Sequence, residues 1–455
     1  MDIYRHYSAI TDRLAAGQPI WLTESDNRLE FSPAATESRR PLRFPKIGIY
    51  AGSGTSHSWI WFVDLFEGTG FLDLTFLDES DIRAGRLEQI DVLAVSGGDT
   101  FAVARSLGGE GARRLAAFVE GGGIYIGACA GAYLPMNSSK EDLNRFNFAP
   151  VKITNLRKIL PAAVKHTYKF CTAYGCDYIF HPVREAVRLK VNGAFSFPAG
   201  TLNAPLYGGP AMIPGESCEV LATYDGFTEK TDFLVSREIA RDTLMGHAAA
   251  VRVPRGQGAF YLFGPHFEHP HFPAANMLLV DAILRESPEF RMDRIPERHE
   301  CQMLVGSDQR RLLTDIRREL SNCRIVATGL EIMPIHWRIG TKYYEPEKIR
   351  VFLEAMWQRL GKLEKSDGIR VRRAGAEQLV RHAVATTTLL RKMKQQIDKD
   401  LESEGLAAST FEQLHRFSTS FFDLYFLTRS RTRALAWEAA QPGEDIGETS
   451  SLQKA

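Results

Sequence analysis

Three features that are scarce in this sequence narrow what the protein can be. Its six cysteines are spread irregularly over 455 residues, which fits reduced thiols better than a disulfide framework. Lysine and arginine number 56 and aspartate and glutamate 55, so the overall charge favours no polyanionic partner. No uninterrupted apolar run approaches the roughly 18 residues of a membrane-spanning helix, and residues 1–6 lack the charged-then-apolar pattern of a signal peptide. We therefore expect a cytoplasmic protein that binds neither nucleic acid nor membrane.

What the sequence does contain is typical of a globular chain with more than one domain. Hydrophobic residues make up 44% of it and charged residues 24%. From Lys46 onward, short apolar runs at 47–51, 71–77, 91–95 and 123–127 alternate with helical patterns. This alternation predicts an α/β fold with a flavodoxin-like, mostly parallel sheet flanked by helices.

The pattern changes twice after residue 150. Residues 151–255 are mainly strands and loops, followed by a buried strand at 258–263 and a closing helix at 274–285. Beyond residue 291 the period is helical, with helices predicted at 309–321, 346–362, 374–401 and 411–439. One face of the third helix carries apolar residues three, four or seven positions apart, which predicts a bundle core: Leu379, Ala383, Leu390, Met393, Ile397 and Leu401.

These changes predict five segments. Residues 1–44 form an N-terminal arm with a short helix at 4–14, and residues 45–291 form the α/β domain. Residues 292–345 form a linker and helix, residues 346–440 a helical domain, and residues 441–455 a flexible tail. The helical domain leaves a second copy of the chain or another protein open as a partner.

One cysteine lies in a sequence that suits a nucleophile elbow. Cys129 follows the apolar run 123–127 and is flanked by Gly127, Ala128, Ala130 and Gly131. A turn that holds its central residue in a strained conformation needs small neighbours, and a following helix N-terminus favours a thiolate. A buried, inert cysteine in a tight turn is the other interpretation of this segment.

The partners that a nucleophilic thiol needs follow other predicted strands. His266 comes after the strand at 258–263, so it lies at the same sheet edge as Cys129 and can act as a base. Glu268, two residues later, can orient the imidazole. The N–H groups of Ala130 and of Gly98, after the strand at 91–95, are candidate oxyanion donors.

Three of these motifs resemble the class I glutamine amidotransferase-like superfamily: Gly97-Gly98-Asp99, Gly127-Ala-Cys-Ala-Gly131 and Pro265-His-Phe-Glu268. Residues 49–55, 129–134 and the motif Tyr207-Gly-Gly-Pro210 resemble more closely the biotin-protein ligase N-terminal domain. The resemblance covers about residues 45–284 and does not reach the helical segment.

The resemblance implies a Cys-His-Glu triad with Cys129 as nucleophile, His266 as base and Glu268 as orienting group. It places Gly98 and Ala130 as oxyanion donors, with the residues Gly97, Tyr133 and Gly209 beside the substrate. Glutaminases of this superfamily carry glutamine at the position of Tyr133, so glutamine is a doubtful substrate. The sequence also lacks the Gly/Arg-rich loop with which a biotin ligase binds its adenylate.

The motifs together predict a cysteine-dependent hydrolase or amidotransferase-like enzyme that acts on a small-molecule or peptide amide through a thioester, without a cofactor. A non-catalytic binding or scaffold protein with the same fold and a partner-binding helical domain is the alternative. His166, Cys171, Cys176 and His181 recur at five-residue steps, which leaves a metal site open. Structural zinc ligands usually lie closer together in sequence, so we predict no metal.

Overall fold

The structure is a computed structural model. It describes residues 45–163, 178–192, 200–286, 301–340, 342–372 and 374–440, and the backbone of three short strands between residues 21 and 41. The tail expected at 441–455 lies outside the described residues, and of the helix expected at 4–14 the structure describes Arg13 alone, in a helical conformation.

The described residues form twenty strands. They are β1 Trp21–Ser25, β2 Arg28–Ser32, β3 Arg40–Pro41, β4 Ile47–Tyr50, β5 Leu74–Leu77, β6 Val92–Val95, β7 Ile124–Ala128, β8 Val151–Ile153, β9 Val183–Arg184, β10 Ala186–Val191, β11 Gly200–Pro205, β12 Met212–Pro214, β13 Glu219–Phe227, β14 Asp232–Phe233, β15 Ala248–Arg255, β16 Gly258–Phe263, β17 Cys301–Leu304, β18 Trp337–Ile339, β19 Lys342–Tyr344 and β20 Ile369–Arg372.

The helices of the described residues fall into two groups along the chain. Those before residue 290 are α1 Trp59–Gly68, α2 Glu79–Arg83, α3 Thr100–Glu120, α4 Ala130–Tyr133, α5 Glu141–Asn144, α6 Arg237–Leu244 and α7 Pro273–Glu286. Those after residue 300 are α8 Gly306–Glu331, α9 Pro346–Leu363, α10 Gly375–Ile397 and α11 Glu404–Ala440. Single 3₁₀ turns lie at Arg86–Gln89 and Arg157–Ile159.

Eleven strands make one mixed sheet, and its parallel part positions the functional residues. Strands β5, β4, β6, β7 and β16 lie side by side and parallel in that order. Strands β4, β6, β7 and β16 are buried along their whole length, as expected of parallel strands covered on both faces. The predicted α/β fold with a parallel sheet is therefore confirmed for this part.

The other part of the sheet is antiparallel. Strand β15 pairs with β16, and the sheet continues through β13, β10 and β11, with β12 and β8 attached at the side. Sequence analysis expected strands in residues 151–255 but did not attach them to the same sheet. Strand edges pair wherever the chain brings them together, and short apolar runs do not record which edge that is.

The N-terminal segment also differs from the expected arm. Strands β1, β2 and β3 form a small antiparallel sheet, with Trp21 opposite Ser32 and Pro41. The strands were missed because the segment is polar. A small sheet can form with few apolar residues, so its strands need not show a hydrophobic pattern.

The C-terminal helices were predicted from their period, and a helical C-terminal region is confirmed. Helix α8 extends to Glu331, through residues expected to be a linker. On α10, Leu379, Ala383, Leu390 and Met393 are buried. The expectation for Leu401 was wrong, because this residue is 54% exposed. Helix α10 ends at Ile397, and Asp400, three residues later, takes a left-handed conformation with φ 56°.

The apolar core is continuous from the sheet into these helices. Trp59 of α1 is fully buried and lies edge-on to Phe352 of α9 and Phe422 of α11. A second apolar layer, which includes Leu93, Leu115 and Phe260, covers the opposite face of the sheet under α3. Among the described residues, none of the helices combines the length and the hydrophobicity needed to cross a membrane.

Candidate active site at the carboxyl edge of the parallel strands

Cys129 occupies a tight turn between β7 and the single-turn helix α4. Its backbone has φ 51° and ψ −107°, a strained conformation for a residue other than glycine. A Cβ atom on Gly127 would lie 2.4 Å from the carbonyl oxygen of Gly131, and one on Gly131 would lie 2.1 Å from that of Val95. The small residues around the thiol are thus required by close backbone packing.

His266 and Glu268 follow the neighbouring strand β16. Because β16 runs parallel to β7 with Phe263 opposite Ala128, the residues after both strands emerge at the same edge. The Nδ1 atom of His266 lies 2.6 Å from Oε1 of Glu268, and both side chains are buried. Since Glu268 occupies Nδ1, the nitrogen left to face Cys129 is Nε2.

Burial and charge act in opposite directions on this group. Burial raises the pKa of the Cys129 thiol, but the interaction with His266 and the charges of His266 and Lys342 outweigh it, so the pKa lies below its ordinary value. Burial lowers the pKa of His266, but Glu268 and Cys129 outweigh it, so that pKa is raised. Sequence analysis attributed the thiolate to a helix dipole, yet α4 has only four residues.

Two other histidines near the site behave differently, because neither has a carboxylate partner in the part of the chain that the structure describes. Burial, then the nearby cation of Lys348, lowers the pKa of His57 to about 3. Burial, then the neighbouring His266 and His271, lowers the pKa of His269 to about 4. The ring of Trp61 contacts two of the histidines: its centre lies 5.1 Å from that of the His266 ring and 4.5 Å from that of the His269 ring. His266 is thus the histidine of this group whose protonated form is stabilised.

The Gly97-Gly98 loop lies beside the imidazole and the thiol. A Cβ atom on Gly97 would lie 2.8 Å from Cε1 of His266, and one on Gly98 would lie 2.0 Å from the Gly54 carbonyl oxygen. Gly98 and Thr55 form an antiparallel bridge whose hydrogen bonds are donated by the N–H groups of Ser56 and Asp99 and not by that of Gly98. Glycine at both positions is required by space as well as by the Gly98 φ of 154°.

The two remaining predicted residues have different places: Tyr133 lines a cavity, and Gly209 packs against the backbone. Tyr133 lines a cavity, and its hydroxyl donates to the Gly208 carbonyl oxygen at 3.2 Å and accepts from Nδ2 of Asn155 at 2.7 Å. Gly209 was expected beside the substrate, but it packs on the backbone of Gly264, where a Cβ atom would lie 1.7 Å from the carbonyl oxygen. Its neighbour Gly208 lines the cavity instead.

Two cavities meet at Cys129. The larger, of about 790 Å³, extends from Gly98, Cys129 and Ala130 past Tyr133. The smaller, of about 370 Å³, lies on the side of His266. Both are lined by Gly98, Cys129, His181 and Lys342. The thiol is therefore reached from two directions, although the cysteine itself is only 6% exposed.

The C-terminal part of the chain closes the top of this site. Lys342 and Tyr344 of β19 and Lys348 at the start of α9 line the smaller cavity. A Cβ atom on Gly340, in the β18–β19 turn, would lie 3.4 Å from Oδ2 of Asp99. The C-terminal part thus contributes wall residues to the site of the α/β part, and these include the cations of Lys342 and Lys348.

The sequence of this site matches a known family. Residues 87–289 match the biotin-protein ligase N-terminal family. The resemblance expected from the sequence is confirmed over these residues, which include Cys129, His266 and Glu268. No curated protein matches the chain.

Solved structures resemble the chain only weakly. A β-galactosidase from Bacillus circulans sp. alkalophilus is 12% identical with a TM-score of 0.31, over 52% of this chain and 30% of that one. An exo-β-1,4-mannosidase from Opitutaceae bacterium strain TAV5 is 10% identical with a TM-score of 0.29, over 54% and 36%. A cytoplasmic protein from Salmonella typhimurium LT2 is 13% identical with a TM-score of 0.31, over 59% and 94%. The match thus spans about a third of the two glycosidases' length.

The biotin-protein ligase N-terminal match stops before the residues that roof the site. Sequence reasoning missed Lys342 and Lys348 because it placed them in a linker and at the start of a helical domain. Their sequence is a mixed-charge run with no motif, so only the fold brings it over the thiol. Trp61 was also missed. It lies in the first turn of α1, directly after the loop at 52–58, and the first turn of a helix that follows such a loop is a common place for a site residue.

Of the four residues that left a metal site open in the sequence, one lies within the described residues. His166, Cys171 and Cys176 lie outside them, while His181 is buried and lines both cavities. In the part of the chain that the structure describes, no three histidine, cysteine, aspartate or glutamate side chains are grouped to hold a metal ion.

Proposed function

We propose that the protein is a cysteine-dependent hydrolase or amidotransferase-like enzyme that cleaves an amide or related carbonyl compound through Cys129. The observation that carries the proposal is a buried group of three side chains: the Cys129 thiol, the His266 imidazole and the Glu268 carboxylate. The carboxylate lies 2.6 Å from Nδ1 of the imidazole. Burial by itself disfavours charge on the first two groups, yet their pKa values shift toward a thiolate and an imidazolium.

In the first half of the reaction, Sγ of Cys129 attacks the carbonyl carbon and the new C–S bond converts the carbonyl oxygen to an oxyanion. The N–H groups of Ala130 and Gly98 donate to that oxygen, because both line the cavity beside the thiol. His266 then gives its Nε2 proton to the leaving nitrogen as the C–N bond breaks. An amine leaves, and the acyl group remains on Cys129 as a thioester.

In the second half, a water molecule gives a proton to His266 and attacks the thioester carbon. The second tetrahedral intermediate uses the same two N–H donors, and the C–S bond breaks to return the thiolate and a carboxylic acid. Glu268 keeps the imidazole in one orientation and stabilises its charge in both halves.

Tyr133 argues against glutamine as the substrate. A glutaminase of the related superfamily carries glutamine here, whereas the Tyr133 hydroxyl is engaged with Gly208 and Asn155. The aromatic ring occupies space that an amide side chain would leave open. We therefore propose an amide other than glutamine.

An activated acyl donor tests the proposal without knowledge of the natural substrate. The protein is mixed with p-nitrophenyl acetate near neutral pH, and both p-nitrophenolate release and acetylation of each cysteine are followed, the latter by mass spectrometry. We expect a burst with acetyl on Cys129, and selective alkylation of Cys129 by limiting iodoacetamide. Cys218 and Cys301 serve as internal references because both are partly exposed.

Equal acylation and alkylation of Cys129, Cys218 and Cys301 would overturn the proposal and favour the binding or scaffold alternative. The variant His266→Ala should slow both reactions, and His271→Ala is its matched control, since His271 is an exposed histidine of the same loop.

A further inference from the structure

The larger cavity has a strong excess of positive charge. Lys140, Lys152, Lys158 and Lys342 line it, and among the described lining residues Asp99 is the one carboxylate. The Asp99 carboxylate accepts hydrogen bonds from the N–H groups of Phe101 and Ala102 at the start of α3. The whole chain has nearly equal numbers of basic and acidic residues, 56 and 55, so this excess is a local property.

Two of these lysines have no carboxylate partner among the described residues. In the described part of the chain, neither Lys140 nor Lys152 forms an ion pair with a carboxylate. The ammonium of Lys140 lies over the Tyr178 ring, 3.3 Å from its centre, which holds it at the cavity wall. Elsewhere, basic side chains are commonly paired, as Arg252 is with Glu219 and Glu286 at 2.6 and 2.7 Å.

The smaller cavity provides an internal comparison. Its basic residues Arg184, Lys342, Lys348 and Arg350 are accompanied by three carboxylates, those of Glu185, Glu345 and Glu347. Lys348 and Glu345 form an ion pair at 3.1 Å. Among the described lining residues, the excess of positive charge is therefore larger on the side of Cys129 that holds the larger cavity.

The reacting atoms face this charged cavity. Cys129, Gly98 and Ala130 form part of its lining, so a carbonyl held by the two N–H groups has its substituents inside it. The lining also includes apolar side chains, among them those of Met136, Leu143 and Ile153. Apolar walls focus the field of the lysines into the cavity and raise the local concentration of anions.

We propose that the larger cavity binds the anionic end of the substrate, so that Cys129 acts on an amide or related carbonyl whose molecule also carries a carboxylate or phosphate group. This inference rests on the proposed function. Lys140 and Lys152 bind the anion, and Lys342 adds a positive charge close enough to the thiol to lower its pKa.

A pair of alkylating reagents that differ in charge tests the inference. Iodoacetate carries a carboxylate and iodoacetamide a neutral amide, and both form a thioether with the thiolate and release iodide. The rate of each reagent is measured at Cys129, Cys218 and Cys301 by mass spectrometry. We expect the iodoacetate-to-iodoacetamide rate ratio to be about tenfold higher at Cys129 than at the two reference thiols.

The double variant Lys140→Gln with Lys152→Gln should lower this ratio at Cys129 toward the reference value. Lys342 is left unchanged because its charge also lowers the pKa of the thiol. The matched control is Lys190→Gln with Lys230→Gln, two exposed lysines that line neither cavity. A ratio equal to that of the reference thiols, or one that the double variant leaves unchanged, would overturn the inference.

Competing anions separate the two sources of charge. Inorganic phosphate or acetate, at matched ionic strength, is added before iodoacetamide. Stronger protection of Cys129 by phosphate assigns a phosphate group and stronger protection by acetate a carboxylate, while protection by neither overturns the inference. The proposed function fails separately, if iodoacetamide itself does not select Cys129.

Discussion

Two buried charged groups in this molecule differ in what surrounds them. At the candidate site, His266 and Glu268 are 2.6 Å apart beside Cys129, and two cavities reach that thiol. Between α1 and α9, the Arg359 guanidinium lies 2.8 Å from both Asp64 and Glu67. The second group lies under packed aromatic rings and connects the C-terminal helices to the α/β part.

The difference lies in how completely each charge is paired. Glu67 accepts from Lys362 and from the Tyr425 hydroxyl as well as pairing with Arg359. Burial raises its pKa, but these partners outweigh burial, and the pKa is lowered. At the site, by contrast, one partner is a thiol that loses its charge when it reacts. A fully paired group stabilises an interface, whereas a group that includes a nucleophile holds charge available for chemistry.

The largest expected effect comes from removing the imidazole of the first group. His266→Ala should slow acetylation of Cys129 by p-nitrophenyl acetate about 10²-fold or more, because a positioned acid–base group typically contributes that much. The burst of p-nitrophenolate measures it. A loss in His271→Ala as large as in His266→Ala would contradict this prediction.

Removing the cation of the second group should affect stability instead. Arg359→Met removes the buried cation between Asp64 and Glu67, and Glu67 keeps Lys362 and Tyr425 as partners, so the free energy of unfolding should fall by about 3 kcal/mol in urea titrations. The control Arg188→Met breaks an exposed pair with Asp225 and should cost about 1 kcal/mol or less. Similar losses in both variants would remove the distinction between buried and exposed pairs.

The pH dependence of alkylation sharpens the comparison further. A thiol reacts as its thiolate, so its iodoacetamide rate rises as pH passes through its pKa. For Cys129, whose pKa is lowered, this rise should occur at a lower pH than for Cys218, whose pKa burial raises. In His266→Ala the rise for Cys129 should move to higher pH, since burial remains and its main opposing charge is gone. Site-resolved rates between pH 5 and 10, a range spanning about the ordinary thiol value, test this.

The smallest effects concern two tyrosine hydroxyls, one in each region. Tyr133→Phe removes two neutral hydrogen bonds, one accepted from Asn155 and a longer one of 3.2 Å donated to the Gly208 carbonyl oxygen. It should cost about 1 kcal/mol, since Asn155 keeps its bond to the Phe180 carbonyl oxygen. Tyr425→Phe removes a donor to the Glu67 carboxylate and should cost about 2 kcal/mol, because hydrogen bonds to charged groups are stronger. Urea titration compares them, and the reverse order would contradict the argument.

Much of the fold followed from local patterns. Strand β16 has the predicted bounds, and α9 differs from its predicted bounds by one residue. The antiparallel half of the sheet did not follow, because strand pairing depends on edges that meet only after the chain folds. Strands β18 and β19, which cover the site, were missed because a pattern over three residues is too short to predict a strand.

The sequence by itself determined which side chains are candidates for the site and that they follow neighbouring strands. Small residues around Cys129, and His266 with Glu268 after a parallel strand, placed these side chains at one sheet edge, because parallel strands end together. Only the tertiary structure decided the state of the thiol. Its pKa depends on burial and on Lys342, 213 positions away by residue number, which the packing of the helical region brings to the cavity. Electrostatic interactions depend on distance and burial, and neither can be read from sequence position.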